Sequence, residues 1–353
     1  MARQKRILIL RLSAIGDTIH TLPLVNAIKK TFPDAKIGWV VEDKAEQFVK
    51  NHPNIDKCYI IPQKIWKKRG ISVDNFKEFR KIVKQINQDG YDIVFDTQQL
   101  LKSAIFMPFL KARRKVTLTG GRELSWNFAN ELIESSHKLF DPDYHVVKRN
   151  LEFAEYIGAK TDEIEFNLEE PSDEIKSKIT NLLKNLDKNK PTVVIAPATT
   201  WKNKLWSESH WGKVLDFLDG KANIVVTGTS LDVNLIGKIF ANTNVKDATI
   251  LAGQTDLNEL AEVFRNADVV ISPDSGSAHI AWAVSKPYVI TLFTATAAGR
   301  NAPFGENCTA LTPNIPCHPC MHKKCEASDK YLCSRAIPPE EVIDVLEKAL
   351  FNI

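Results

Sequence analysis

Arg6-Ile7-Leu8-Ile9-Leu10-Arg11-Leu12, running directly into Ser13-Ala14-Ile15-Gly16-Asp17, decides the fold. The first seven residues read as a short buried strand. A small-residue loop follows and leads into a helical run, Thr18–Thr31. Strand, loop and helix in that order make the first half of a doubly wound α/β unit. Ligands of such folds sit beyond the carboxyl ends of the strands, beside helix N-termini. Here that position carries a lone carboxylate, Asp17, with Gly16 allowing close backbone approach. A carboxylate repels phosphate but takes a proton from a hydroxyl. A base is therefore expected in the first half of the chain and a phosphate site elsewhere.

The alternation continues outward from this stretch. Strands are expected at Lys36–Val41, Cys58–Ile61, Ile93–Asp96 and Lys115–Leu118. Helices are expected at Asp43–Asn51, Val73–Gln88, Leu100–Leu110 and Tyr144–Ile157. The pattern then restarts, with strands at Thr192–Ala196, Asn223–Thr227, Ala248–Leu251, Val269–Ser272 and Tyr288–Leu292. Between them lie helical runs at Ser207–Leu218, Leu231–Ala241, Leu257–Asn266 and Ser275–Ala283. Two parallel sheets follow from this repetition. The polar stretch Thr161–Lys190, with a helix near Asp173–Leu186, joins the halves. The tail after Leu292 reads as irregular until Pro338-Pro339 opens a last helix, Glu340–Leu350.

Composition narrows the class. The chain has 353 residues, 44% hydrophobic and 25% charged, enough for two ordinary domains. No apolar run approaches the ~18 residues of a membrane helix. The run Ile7–Leu10 ends at Arg11, too short for a signal-peptide core. A cytoplasmic location is expected. A net charge of +4 is too small to argue for nucleic acid. Neither a GxGxxG fingerprint after the first strand nor a GxxxxGK[ST] motif occurs, against a dinucleotide oxidoreductase and a P-loop kinase.

The phosphate chemistry is expected in the second half. After the Thr192–Ala196 strand come Thr199, Thr200, Lys202 and Lys204. Hydroxyls and an ammonium are the groups that hold phosphate; a polar surface loop is the plainer alternative. After the Val269–Ser272 strand come Asp274, Ser275, Gly276 and His279, opening a helix whose N–H groups make an anion site. Here the alternative is an ordinary cap with a half-buried histidine. Asp141-Pro142-Asp143 has the form of a metal-binding Asp-x-Asp but reads as a turn. Basic clusters occur at Lys64, Lys67, Lys68 and Arg69, and at Lys111–Lys115, either solvated or docking an anionic acceptor or membrane. Cys317, Cys320, Cys325 and Cys333 open with metal-knuckle spacing but continue with gaps of no common zinc module. They admit a structural zinc or iron; reduced packing thiols are the simpler reading.

Taken together, these segments resemble glycosyltransferase family 9, the bacterial ADP-heptose:lipopolysaccharide heptosyltransferases. The resemblance rests on Arg11–Pro23, Trp39-Val40-Val41-Glu42, Phe95–Ser103, Ala198-Thr199-Thr200, Lys204-Leu205-Trp206, His210-Trp211 and Asp274–His279, in the family's order. It implies a GT-B architecture, two Rossmann-like doubly wound α/β domains facing a cleft. Those domains are an acceptor-binding domain over residues 1–170 and an ADP-sugar-binding domain over 171–337. A helix over 338–353 is expected to cross back. It implies inverting transfer of heptose from ADP-L-glycero-D-manno-heptose to the anionic Kdo-lipid A inner core, at the inner face of the cytoplasmic membrane, with no cofactor needed for catalysis. Asp17 is then the base. Thr199, Thr200, Lys204, Asp274, Ser275, Gly276 and His279 hold the donor. Ser13, Gly16, Lys64, Lys67, Lys68 and Arg69 lie on the acceptor side. The segments around Glu42 and Lys204 lean toward the first heptose; the cysteine-rich segment resembles second-heptose members and protein heptosyltransferases. A non-catalytic sugar-nucleotide binding module is the alternative from another class.

Overall fold

A computed structural model describes residues 4–351. The chain divides between Glu169 and Glu170 into two compact units. The first holds a parallel sheet of six strands: β1 (Arg6–Leu10), β2 (Lys36–Glu42), β3 (Lys57–Ile61), β4 (Ile93–Asp96), β5 (Arg114–Leu118) and β6 (Glu131–Ile133), in spatial order β3-β2-β1-β4-β5-β6. The second repeats it with β7 (Thr192–Ile195), β8 (Asn223–Val226), β9 (Thr249–Ile250), β10 (Val269–Pro273), β11 (Tyr288–Leu292) and β12 (Cys308–Leu311), in order β12-β11-β10-β7-β8-β9. Counted within each unit, both orders are 3-2-1-4-5-6, the dinucleotide-fold order. Ile7, Leu8, Ile9 and Leu10 of β1 are wholly buried, because helices cover both faces of such a sheet. This α/β fold of two parallel sheets is the one the sequence predicts, of the GT-B type.

Several elements depart from expectation for local reasons. The single helix Thr18–Thr31 is two, Ile15–Ile19 and Leu22–Thr31. Pro23 has no N–H to return to Ile19, and the Thr21 hydroxyl takes the Asp17 carbonyl at 2.8 Å instead. Pro108 likewise limits Leu100–Leu110 to a turn of helix at Leu101–Ala104 and a 3-10 turn at Met107–Phe109. Of Asp43–Asn51 only Gln47–Lys50 is helical, since Asp43 N–H pairs with the Ile61 carbonyl at 3.0 Å. Several elements went unforeseen. The charged run Gln63–Arg69 is a helix, and β6 and β12 are edge strands. β12 pairs Val289 with Cys308 inside the supposedly irregular tail.

The last helix runs Pro339–Phe351, and Val342 and Leu346 are fully buried in the core of the second unit with Trp206, Trp211 and Leu218. Residues 352 and 353 of the expected crossing segment lie outside the described residues. The helix Glu208–Leu218 brings Gly212 hard against a neighbouring turn. A Cβ there would sit 2.2 Å from the Asn242 carbonyl oxygen. Gly212→Ala therefore loses about 1–2 kcal/mol, because the backbone shift outweighs alanine's better helix propensity. Thermal unfolding reads this as a lowered Tm; an unchanged or raised Tm contradicts the packing described.

Candidate functional site

In each sheet the strand order reverses once, between β1 and β4 in the first unit and between β7 and β10 in the second. Loops leaving those neighbours part, and a crevice opens at their carboxyl ends. Most of the sequence-predicted residues fall at these two places, the Lys64–Arg69 cluster lying instead on the helix after β3. Ser13, Gly16 and Asp17 follow β1; Thr199, Thr200 and Lys204 follow β7; Asp274–His279 follow β10. Seventy residues of sequence separate Lys204 from Asp274, and the sheet order brings them together.

At the first crevice Asp17 is not the lone carboxylate expected. Its Oδ1 lies 3.3 Å from Arg11 Nη2, and its Oδ2 accepts the Ala14 N–H at 3.0 Å. Arg11 is buried and itself anchored, donating from Nη1 to the Thr97 carbonyl at 2.6 Å. The pairing fixes the carboxylate in place, while its side chain stays 39% exposed and retains lone pairs for a further donor. The loop after β4 braces the same corner: Gln98 Oε1 accepts the N–H groups of Leu12 and Ser13 at 2.9 and 3.1 Å. Lys102 Nζ donates to the Ser13 hydroxyl and to Glu42 Oε1, the latter at 2.9 Å. Glu42 is buried and also meets Lys44 at 2.9 Å. Gly16 is half-buried within the short helix.

At the second crevice Lys204 Nζ lies 2.6 Å from Asp274 Oδ2. Thr296 donates its hydroxyl to that same oxygen at 2.5 Å, and His279 Nε2 lies 3.4 Å from Oδ1. Burial acts to raise the Asp274 pKa, but the hydrogen bond from His279 and the charges of Lys204 and His279 outweigh it and hold the carboxyl well below the usual range. Asp274 is buried with both oxygens engaged, so it holds Lys204 and His279 in position. Lys204 also sits 4.7 Å above the Trp201 ring. Ser275 caps the helix Gly276–Val284, accepting the Ser277 N–H at 3.3 Å. Thr199 is half-buried and Thr200 exposed at the mouth of the same loop. The Lys204 ammonium is held beside the start of the Gly276–Val284 helix through Asp274, and Thr199 and Thr200 lie on the loop that carries Lys204; ammonium, hydroxyl and helix N–H groups are the kinds of group that bind phosphate.

Residues 79–331 match glycosyltransferase family 9 (heptosyltransferase). The chain belongs to that family. It is thus a glycosyltransferase. It is 29% identical over 341 residues to lipopolysaccharide heptosyltransferase 3 of Escherichia coli K12, covering 95% of each chain. It is 25% identical over 369 residues to lipopolysaccharide heptosyltransferase 1 of Pseudomonas aeruginosa, covering 98% of each. Its fold matches a family 9 glycosyltransferase from Veillonella parvula with a TM-score of 0.82 at 18% identity, covering 99% of this chain and 98% of that one. It also matches the E. coli heptosyltransferase WaaC solved with ADP, with a TM-score of 0.75 at 22% identity, covering 98% and 99%.

The remaining sequence readings for this glycosyltransferase fare differently from one another. Arg69 of the basic cluster is spent on Glu78 at 2.8 Å, leaving Lys64, Lys67 and Lys68 exposed on their helix. Asp141 forms a turn, accepting the Asp143 N–H at 3.0 Å and meeting His137 at 2.8 Å. The structural metal that Cys317, Cys320, Cys325 and Cys333 admit as the lesser reading finds no support: among the described residues no group of three or more His, Cys, Asp or Glu side chains is placed to hold one. Cys333 is buried against the Asn203 carbonyl, and the Cys325 sulfur accepts the Tyr331 N–H at 3.3 Å, so these thiols pack locally. Sequence reasoning passed over Arg11, Glu42, Lys102 and Thr296 as working residues. Thr296 follows β11 in a run of Thr and Ala with no telling spacing.

Asp96, at the end of β4, is fully buried, and burial pushes its carboxyl up to about 6 despite the N–H groups of Gln99 and Gln98. In the unfolded chain that proton leaves near 3.8. Between these values the unfolded state binds fewer protons, so stability falls as pH rises through the window. Above it the fold carries a costly buried charge. Asp96→Asn keeps an acceptor for the two N–H groups and removes that charge. It should stabilise by about 1–3 kcal/mol at pH 7.5, with the gain shrinking toward pH 4. Denaturant unfolding at both pH values checks this; an equal effect at both would remove the charge from the explanation.

Proposed function

We propose that this glycosyltransferase moves a heptose from ADP-L-glycero-D-manno-heptose to a hydroxyl of the anionic, Kdo-bearing lipid A inner core of lipopolysaccharide, with inversion at the anomeric carbon. The observation that carries the reading is the division of chemistry. An exposed, fixed carboxylate stands at the reversal point of the first sheet, and a fixed ammonium at that of the second. The relatives named above are lipopolysaccharide heptosyltransferases, and WaaC was solved with ADP.

In this reading the donor diphosphate is held by Thr199, Thr200, Lys204, Ser275, Gly276 and the helix N–H groups. Lys204 meets the negative charge that grows on departing ADP, with Asp274 and Thr296 keeping its ammonium in place. Asp17 takes the proton from the acceptor hydroxyl as its oxygen attacks the anomeric carbon. Arg11 orients Asp17. Neutralisation of the leaving diphosphate falls to lysine and backbone, so the step needs no divalent ion. Ser13, Gly16, Lys64, Lys67 and Lys68 face the acceptor. No helix among the described residues is long and apolar enough to cross a membrane; the enzyme would work at the inner face of the cytoplasmic membrane, where its acceptor lies.

Mass spectrometry after incubation with ADP-heptose tests the reading directly, using Kdo2-lipid A alone and the same acceptor already bearing one heptose. Addition of one heptose to the first assigns first-heptose transfer, and addition only to the second assigns the next step. No addition to either overturns the proposal. Lys204→Met should lower kcat/KM for ADP-heptose about ten- to a hundredfold, the worth of a charge-assisted contact of roughly 1.5–3 kcal/mol. Lys204→Arg, which keeps the charge beside Asp274, should recover part of it. Unchanged donor kinetics in the Met variant would take Lys204 out of the site.

A further inference from the structure

An apolar cavity of about 480 Å³ lies in the first unit beside the corner that holds Asp17. Trp66 of the basic helix, Phe76 and Phe79 of the helix Val73–Asp89, and Ile105, Phe106 and Phe109 after β4 form its wall. Most polar side-chain groups in that wall are already committed, with Asn75 Oδ1 left over. Gln63 and Lys102 both donate to Glu42 Oε1, at 2.8 and 2.9 Å, and Asn75 donates to the Trp66 and Gly70 carbonyls at 3.1 and 2.8 Å. A sugar or nucleotide entering here would lose hydrogen bonds to water and find few in return. Hydrocarbon is the ligand the wall fits, and the volume falls within the range of small-molecule sites, about 300–1,000 Å³.

What surrounds the cavity specifies the rest of that ligand. Between Gln63 and Lys84 stand eight lysines and arginines against two carboxylates, whereas the whole chain carries a net +4. Apolar side chains stand out among these charges: Ile71 is 109% exposed, Val73 70% and Phe76 56%. Hydrocarbon contacts set in a basic field match an amphiphile with an anionic head and an apolar tail. Lys102, in the wall, also touches Ser13 of the loop that leads to Asp17.

We propose that this cavity takes an acyl chain of the anionic lipid acceptor, so that the tail helps hold the acceptor on the first unit. The proposal rests on the reading of that unit as the acceptor side. Its first test is a binding measurement that needs no transfer reaction, so the two can fail separately.

Octyl, decyl and dodecyl phosphate, each below its micelle concentration, are titrated into the full chain while tryptophan fluorescence is followed; Trp66→Phe assigns the signal. Affinity should rise roughly fourfold per methylene buried. Inorganic phosphate should give no Trp66 signal, and the matching alkyl alcohols should bind at least tenfold more weakly. Ile71→Ser with Phe76→Ser should lower dodecyl phosphate affinity at least tenfold, while Val73→Ser, exposed but outside the wall, should not. The same double variant should raise KM for acylated acceptor and leave the kinetics of fully deacylated acceptor unchanged. Affinity independent of chain length, alcohols binding as well as phosphates, equal losses in the Val73 control, or a signal that appears only with self-association in sedimentation would each overturn it. Chain-length-dependent binding in an enzyme that transfers no heptose would uphold the cavity's role and discard the transfer reading.

Discussion

A parallel sheet that reverses its strand order leaves one place where loops cannot cover the strand ends, and this chain builds that place twice. Everything chemical in the structure follows from the constraint. β1 and β4 part to expose the loop of Asp17, and β7 and β10 part to expose the loops of Lys204 and Asp274. The two crevices share a topology and differ in what fills them. One holds a carboxylate steadied by an arginine, the other an ammonium steadied by a carboxylate. In each, one member of the ion pair is the more accessible and its partner the more buried. Arg11 is 6% exposed against 39% for Asp17, and Asp274 4% against 15% for Lys204.

That asymmetry explains why the buried partners matter. A buried ion pair rarely adds much stability, because desolvation offsets the attraction, but losing one member strands a charge. The Lys204–Asp274–Thr296–His279 cluster is therefore better understood as geometry than as glue: it fixes where an ammonium points before any ligand arrives. Preorganised charge of this kind is what lowers a barrier without reorganisation during the reaction. The Arg11–Asp17 pair serves the first crevice in the same way, with Thr97 and Gln98 bracing it from the neighbouring strand's loop.

Much of this is legible in the sequence, for identifiable reasons. Central parallel strands are buried on both faces and read as unbroken apolar runs, so β1, β4, β7, β10 and β11 stand out, as do the polar loops at their ends. The edge strands β6 and β12 carry mixed sequences and are defined by a neighbour, which no local pattern reports. The Gln63–Arg69 helix lacks an apolar stripe and passes for a solvated charge run. Its meaning emerges only with the aromatic wall that Phe76, Phe79 and Phe106 build beside it. Proline explains the split helices, and its effect was readable at Pro23 but outweighed by the surrounding periodicity. The pairing of Asp17 with Arg11 was hidden because residues six apart across a turn carry no spacing rule.

The central claim is that Asp17, fixed but still accessible, removes the acceptor proton. Asp17→Asn keeps the hydrogen bond from Ala14 N–H and the size of the side chain, and leaves Arg11 its bond to the Thr97 carbonyl, while giving up the charge that pairs with Arg11 and abolishing proton uptake. Steady-state kinetics paired with calorimetric titration of ADP-heptose reads both crevices at once. The account predicts kcat lowered by roughly 10²–10⁴ with donor affinity and fold intact; a kcat near that of the unaltered enzyme would contradict it.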